Sequence, residues 1–237
     1  PVQLGPFSES YIELLNELRE ETLVGAKKII NILRHLAPVS SCSELRTTHE
    51  YIVGGIKMLS TRLDTDTIVG DSIAKTIKFP DSIVQTLQDR NITTEFELQV
   101  VLYERNSSVL EYIESKRSKW VGKTVSVDLI HVVNGTMEAL GIHELDRIEI
   151  SIPAEIDLDL IDSPPGYRVV CKYYDEEIEE WVSEGLKVLN YTEKDVLCSS
   201  THLSIFTATV EKNDCFGVDS EDNQVCGGHG TCVGQDT

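Results

Sequence analysis

The chain has 237 residues, a hydrophobic content of 41% and a formal net charge of −19. Such acidity repels phosphate and argues against nucleic acid as a partner. No apolar run reaches the ~18 residues of a membrane-spanning helix, so the sequence reads as a soluble globular segment, long enough for one large domain or two smaller ones.

No signal-peptide pattern stands at Pro1, and the expectation is a segment cut from a longer protein. Four sequons begin at Asn91, Asn106, Asn134 and Asn190, each a candidate glycosylation site. Six cysteines are present, and three of them, Cys215, Cys226 and Cys232, fall within 18 residues. No pair has zinc-site spacing and the histidines are scattered, so an oxidising extracellular setting with disulfides is expected. The acidic groups Asp157, Asp159 and Asp162, and Asp175, Glu176, Glu177, Glu179 and Glu180, could bind calcium, but they lack the fixed Asp/Asn/Gly spacing of a calcium loop, which makes that the minor reading. No metal or cofactor is expected, and the acidity reads as solubility.

In chain order, Ser10-Tyr11-Ile12-Glu13 is a capping box. Tyr11, Leu14, Leu15, Leu18, Ala26, Ile29, Ile30, Leu33 and Leu36 recur at helical spacing until Pro38. Ser41-Cys42-Ser43-Glu44 opens a second helical pattern through Leu45, Ile52, Ile56, Leu59 and Leu63, weakened by Gly54-Gly55. Both stripes predict helices packed on each other and on the next domain. His35 and His49 read as surface or core-edge residues.

From about Asp64 the period becomes two. Ile77 to Pro80 reads as a strand ending at proline, and Asp81 to Arg90 as one or two helical turns. Phe96, Leu98, Val100 and Leu102 alternate with Glu97, Gln99 and Val101, which predicts a half-buried strand. Val125, Val127 and Leu129 alternate, as do Ile148, Ile150 and Ile152. Turns are marked by Asn134-Gly135 and Pro164-Pro165-Gly166, and Ser107 to Lys119 is ambiguous. Further strands are expected at Val169–Tyr174, Trp181-Val182, Lys187–Leu189, Val196–Cys198 and Ile205–Val210. Trp181 and Tyr174 read as core residues. Short strands in series favour an antiparallel sandwich over a parallel sheet with crossover helices.

Chemistry concentrates at His202-Leu203-Ser204. In a bent strand, a histidine two residues before a hydroxyl can sit close to it. His202 can then take the proton as Ser204 attacks the carbonyl of Leu203. The same tripeptide also fits an ordinary histidine beside an ordinary serine. On the strand that follows, Ser204, Phe206, Ala208 and Val210 share parity, which holds Ser204 at the start of a core-anchored strand.

Cys171-x-x-Tyr174-Asp175, Trp181-x-Ser183-Glu184-Gly185, Val196-x-Cys198 and His202-Leu203-Ser204-x-Phe206 together resemble the GPS motif. That motif ends the GAIN domain of adhesion G-protein-coupled receptors and polycystin-type proteins. Leu186 and Ser200 stand where the family has its second and fourth cysteines, which pair with each other there. Both members of one bridge are thus absent, and both members of the other, Cys171 and Cys198, remain, as in the polycystin form. The resemblance implies an α+β fold: a small helical subdomain (residues 1–65), then an antiparallel β-sandwich (66–212) that ends in the motif at about 171–210. Beyond it, Cys215 and Cys226 to Cys232 resemble the first half of an EGF-like module (213–237). The resemblance implies a Cys215–Cys232 bridge and Cys226 without its partner; Cys42 is left over, read as a buried free thiol in preference to half of a bridge to Cys226.

The implied function is single-turnover cleavage of the chain's own backbone between Leu203 and Ser204. His202 is the implied base and Ser204 the nucleophile, with strain in the turn making the bond reactive. The partner is the chain's own C-terminal strand from Ser204, which stays bound; an extracellular protein ligand is a further candidate. The implied Cys171–Cys198 bridge is worth about 3 kcal/mol in the entropic account. The alternative is an uncut spacer or adhesion module. A hydrolase acting on other substrates is disfavoured, because no second catalytic constellation stands in the sequence. An EGF-like start after the motif argues against a direct tethered-agonist role for the strand.

Overall fold

A computed structural model describes residues 47–53, 56–70, 73, 75–92, 96–103, 118–133, 136–140, 142, 146–162 and 167–212. The expected first helix, the EGF-like segment with Cys215 and Cys232, and the sequons at Asn106 and Asn134 lie outside them.

Two antiparallel sheets face each other. The larger contains β1 (Thr48–Val53), β2 (Ile56–Leu63), β4 (Phe96–Tyr103), β6 (Thr124–Val133), β13 (Ile205–Lys212), β9 (Tyr167–Asp175) and β10 (Glu180–Val182), in that spatial order. A short strand, β5 (Ser118–Trp120), also pairs with β13, and β7 (Thr136–Ala139) pairs with β6. The smaller sheet runs β11 (Lys187–Tyr191), β12 (Asp195–Ser200), β8 (Ile148–Pro153) and β3 (Ile77–Lys78). Two short helices, α1 (Ser82–Asp89) and α2 (Leu158–Asp162), complete the described elements.

Alternation explains why these segments are strands. In β8, Ile148, Ile150 and Ile152 are buried while Glu149 and Ser151 are only half-buried. They meet Val125, Val127 and Leu129 of β6 and Phe206 and Ala208 of β13 in one core. Full burial of each large aliphatic or aromatic side chain there contributes about 1.5–3 kcal/mol.

The second expected helix is corrected. Thr48–Val53 and Ile56–Leu63 are paired strands, with Val53 opposite Ile56 and Thr48 opposite Thr61. The helical spacing misled because β2 is buried on both faces: Ile56 and Met58 are as enclosed as Leu59 and Leu63. Its apolar residues therefore do not alternate cleanly. A Gly-Gly pair between two apolar runs is also a hairpin signal in sequence, and that signal was the better one.

The half-buried reading of β4 is corrected as well. Glu97 is 2% exposed and Gln99 fully buried. Their polarity suggested a wet face, but they satisfy one another. The Ser60 hydroxyl donates to the Glu97 carboxylate, and the Gln99 amide donates to the same oxygen at 2.9 Å. Buried polar groups are tolerable when so paired.

Strand β13 is the last of the described strands and lies inside the larger sheet, between β6 and β9. On one side its residues Phe206 to Lys212 pair with Tyr173 to Tyr167 of β9. On the other, Ile205 and Phe206 pair with β6, and Thr209 to Glu211 with β5. The gap between β5 and β6 is closed by Val121 and Gly122, whose N–H groups donate to the Ala208 carbonyl at 3.2 and 2.9 Å. Gly122 is needed for this approach. A Cβ there would stand 2.7 Å from the Ala208 nitrogen and 3.0 Å from Ile152 Cγ2. Gly122→Ala should therefore lower unfolding stability by about 1–3 kcal/mol through overpacking, read as a shift in the urea midpoint. An unchanged midpoint would show that the strands can part without cost.

Candidate functional site

The site forms where β12 leaves the smaller sheet and the chain crosses to β13 in the larger one. β12 ends at Ser200, residues 201–204 bend, and β13 begins at Ile205. His202, Leu203 and Ser204 are all half-buried. Phe206 fixes the far side of the bend because it is fully enclosed in the core.

The imidazole of His202 is framed by two rings. Tyr173 of β9 meets it edge-on at a centroid distance of 4.4 Å, and Phe206 lies at 6.0 Å. Burial, then the carboxylates of Asp175 and Glu184, raise the Tyr173 phenol above its usual range. Tyr173 is thus a neutral wall for the imidazole and not a phenolate base. His202 is also gripped by Ser200. The Ser200 hydroxyl lies 2.9 Å from the His202 carbonyl oxygen, 3.2 Å from its amide nitrogen and 3.4 Å from Nδ1. Nε2 is shielded from solvent.

Ser204 takes its position from the sheet. Its carbonyl accepts from the Val127 amide at 3.1 Å, which fixes the backbone at the mouth of β13. Its hydroxyl donates to the Tyr174 carbonyl at 3.3 Å. His202 and Ser204 flank Leu203 in the same connection between β12 and β13, and the Ser204 hydroxyl rests on Tyr174. Leu203 packs against the core, which immobilises the residue carrying the carbonyl before Ser204. Left-handed strain is not found in the bend: among the described non-glycine residues, positive φ occurs at Lys75, Asn91 and Glu179. The expectation of stored strain has no support in backbone handedness there.

Cys171 of β9 and Cys198 of β12 form a disulfide with Cα atoms 6.0 Å apart. It joins the two sheets beside the bend. The register pairing Lys187 with Ser199, continued by one residue, sets Leu186 opposite Ser200. Leu186 is partly buried against the core, so an apolar contact and a hydroxyl face each other there.

Trp181 and Tyr174 differ from expectation. They are half-buried and form an edge-to-face group with Trp120, Trp181 lying 5.2 Å from Trp120 and 5.5 Å from Tyr174. Period two accounts for this: Cys171 and Tyr173 face the core, so Tyr174 faces the opposite side. Asn91 and Asn190 are both exposed, as glycan attachment requires. Among the described residues no cluster of three His, Cys, Asp or Glu side chains is placed to hold a metal ion, and no helix is long and apolar enough to cross a membrane.

Sequence reasoning missed two members of the site. Ser200 enters the sequence pattern only as an absent cysteine, and its two-residue spacing from His202 is the one local signal that links the two. Tyr173 was passed over for Tyr174, although it shares parity with Cys171.

The family model for the GPS motif, described as GAIN subdomain B, matches residues 47–209. A search of curated proteins finds no match.

The disulfide has a measurable consequence. Its cysteines are 27 residues apart, a loop whose closure contributes about 3–4 kcal/mol in the chain-entropy account. Replacing both with alanine should lower stability by that order in denaturant unfolding. Equal stability of the two proteins would mean that the sheets hold together without the link.

Proposed function

The chain belongs to the GAIN subdomain B family of autoproteolysis-associated ectodomain modules, and from that membership we propose that it cleaves its own backbone between Leu203 and Ser204. The observation that carries the reading is the placement of His202 and Ser204 in one bend, directly ahead of a strand paired on both sides.

The chemistry needs no outside reagent but water. The Ser204 hydroxyl turns from the Tyr174 carbonyl and attacks the Leu203 carbonyl carbon, while His202 accepts its proton. The tetrahedral intermediate collapses by breaking the C–N bond, and the proton goes to the departing Ser204 nitrogen. Leu203 is then joined to Ser204 through an ester. Water hydrolyses that ester to a Leu203 carboxylate and the free Ser204 hydroxyl. The reaction runs once per molecule. Ordering of the three residues by the core supplies the proximity that such intramolecular steps rely on.

The C-terminal fragment stays bound. Ile205, Phe206, Ala208 and Val210 are buried, and the strand's far end is held by Glu211, which pairs with Lys172 at 2.7 Å. In this reading the module is extracellular, part of the ectodomain of a membrane protein of the receptor or polycystin type, and an extracellular ligand or force can separate the fragments.

A second reading has its own observation. The Ser204 hydroxyl donates to Tyr174, a resting arrangement equally suited to an uncut structural or adhesion module.

A denaturing gel separates the two. Self-cleavage gives fragments 1–203 and 204–237 that co-elute under native conditions, and Ser204→Ala gives one band. A single full-length band from the wild-type chain, incubated for days at neutral pH, would establish the uncut module instead.

A further inference from the structure

The Ser200 hydroxyl touches three atoms of His202, and its own chemistry limits how it can do so. A hydroxyl has one proton to donate and two lone pairs to accept with. The His202 carbonyl oxygen, at 2.9 Å, can only accept, so the Ser200 proton goes there. The His202 amide, at 3.2 Å, can only donate, so it uses one lone pair. The third contact is with Nδ1 at 3.4 Å, where either atom could donate on distance alone. With its proton already committed, Ser200 can only accept from Nδ1. A neutral imidazole carries a proton on one nitrogen alone, so a proton on Nδ1 leaves the lone pair on Nε2.

We propose that Ser200 is a positioning residue that fixes His202 as the Nδ1–H tautomer, making Nε2 the atom that receives the Ser204 proton. The side chain is 1% exposed, so water does not compete for its bonds. The rings of Tyr173 and Phe206 limit rotation of the imidazole plane, and Ser200 sets which nitrogen is basic within that plane. The residue that stands in place of a family cysteine thus acts on the base directly, where a half-cystine could only brace the loop. Ser200 acts through His202 and does not touch the scissile bond.

This inference rests on the proposed self-cleavage for its consequence, but the tautomer can be read without it. The first measurement is the nitrogen-15 spectrum of His202 in the uncut Ser204→Ala chain, where the two neutral tautomers give distinct shifts at Nδ1 and Nε2. The expected result is a protonated Nδ1 and an unprotonated Nε2 at neutral pH. In Ser204→Ala combined with Ser200→Ala, the shifts should move toward a tautomer mixture. An Nε2–H signal in the Ser204→Ala chain, or identical shifts with and without Ser200, overturns the proposal.

The second measurement is the rate of cleavage in the chain with its natural Ser204. Ser200→Ala should slow it about tenfold or more, with the melting temperature confirming an intact fold, and Ser200→Thr should recover rate by restoring the hydroxyl. A Ser200→Ala rate within twofold of wild type overturns the positioning role. If the wild-type chain is never cut, the proposed function fails, and the nitrogen-15 result still decides the tautomer.

Discussion

The structure depends on the last described strand, β13, lying inside the larger sheet and not at its edge. β13 is enclosed by β9 along one side and by β6, Gly122 and β5 along the other. Its residues pair with segments as distant in sequence as Ser118 and Ser126. Such non-local pairing closes late, because loop entropy opposes it until many contacts form together. The bend at residues 201–204 has no defined shape until β13 is seated, since Phe206 supplies one wall of the His202 site and Val127 fixes the Ser204 carbonyl. In the self-cleaving reading, folding and reaction are therefore ordered: the bond after Leu203 becomes reactive only after the strand beyond it is held. A cut made then leaves both sides of the β13 ladder in place.

The disulfide serves the same end by indexing two strands. Cys171 precedes Tyr173 by two residues in β9, and Cys198 precedes Ser200 by two in β12. Period two puts each cysteine on the same face as the residue it leads to. A link between Cys171 and Cys198 consequently fixes the relative register of the ring that walls His202 and the hydroxyl that grips it. A slip of one residue in either strand would turn that side chain to the wrong face. The bridge contributes stability, and it also sets geometry that stability alone would not specify.

Much of this was legible in the chain. The alternation at Val125–Leu129, Ile148–Ile152 and Ile205–Val210 appears as β6, β8 and β13, because each of those strands turns apolar side chains to the core between the sheets. The short helix after Pro80 followed from Ile83, Val84 and Leu87. The sandwich and the Cys171–Cys198 pair followed from the motif. Thr48–Leu63 was not legible as strands, because a strand buried on both faces loses its period and mimics a helical stripe. Glu97 and Gln99 were misplaced for the opposite reason: their partners, Ser60 and each other, are set by sheet register, which a linear pattern does not contain. Ser200 was hidden in a similar way. As one residue it is an absent cysteine, and only the fold places its hydroxyl on three atoms of His202.

The resting position of Ser204 bears on how the two functional readings should be weighed. Its hydroxyl must leave the Tyr174 carbonyl before it can attack Leu203. A hydrogen bond of this kind contributes about 0.5–1.5 kcal/mol net, and 1.4 kcal/mol corresponds to about tenfold in population. The attacking rotamer is therefore depleted by about an order of magnitude at most on this account. For an enzyme under selection for turnover such a loss would matter. For a reaction that each molecule performs once, it lengthens the wait without removing the outcome. On the self-cleaving reading the contact with Tyr174 therefore delays the attack without preventing it, and what matters next is which nitrogen of His202 holds the lone pair, which the Ser200 hydroxyl governs through its contact with Nδ1.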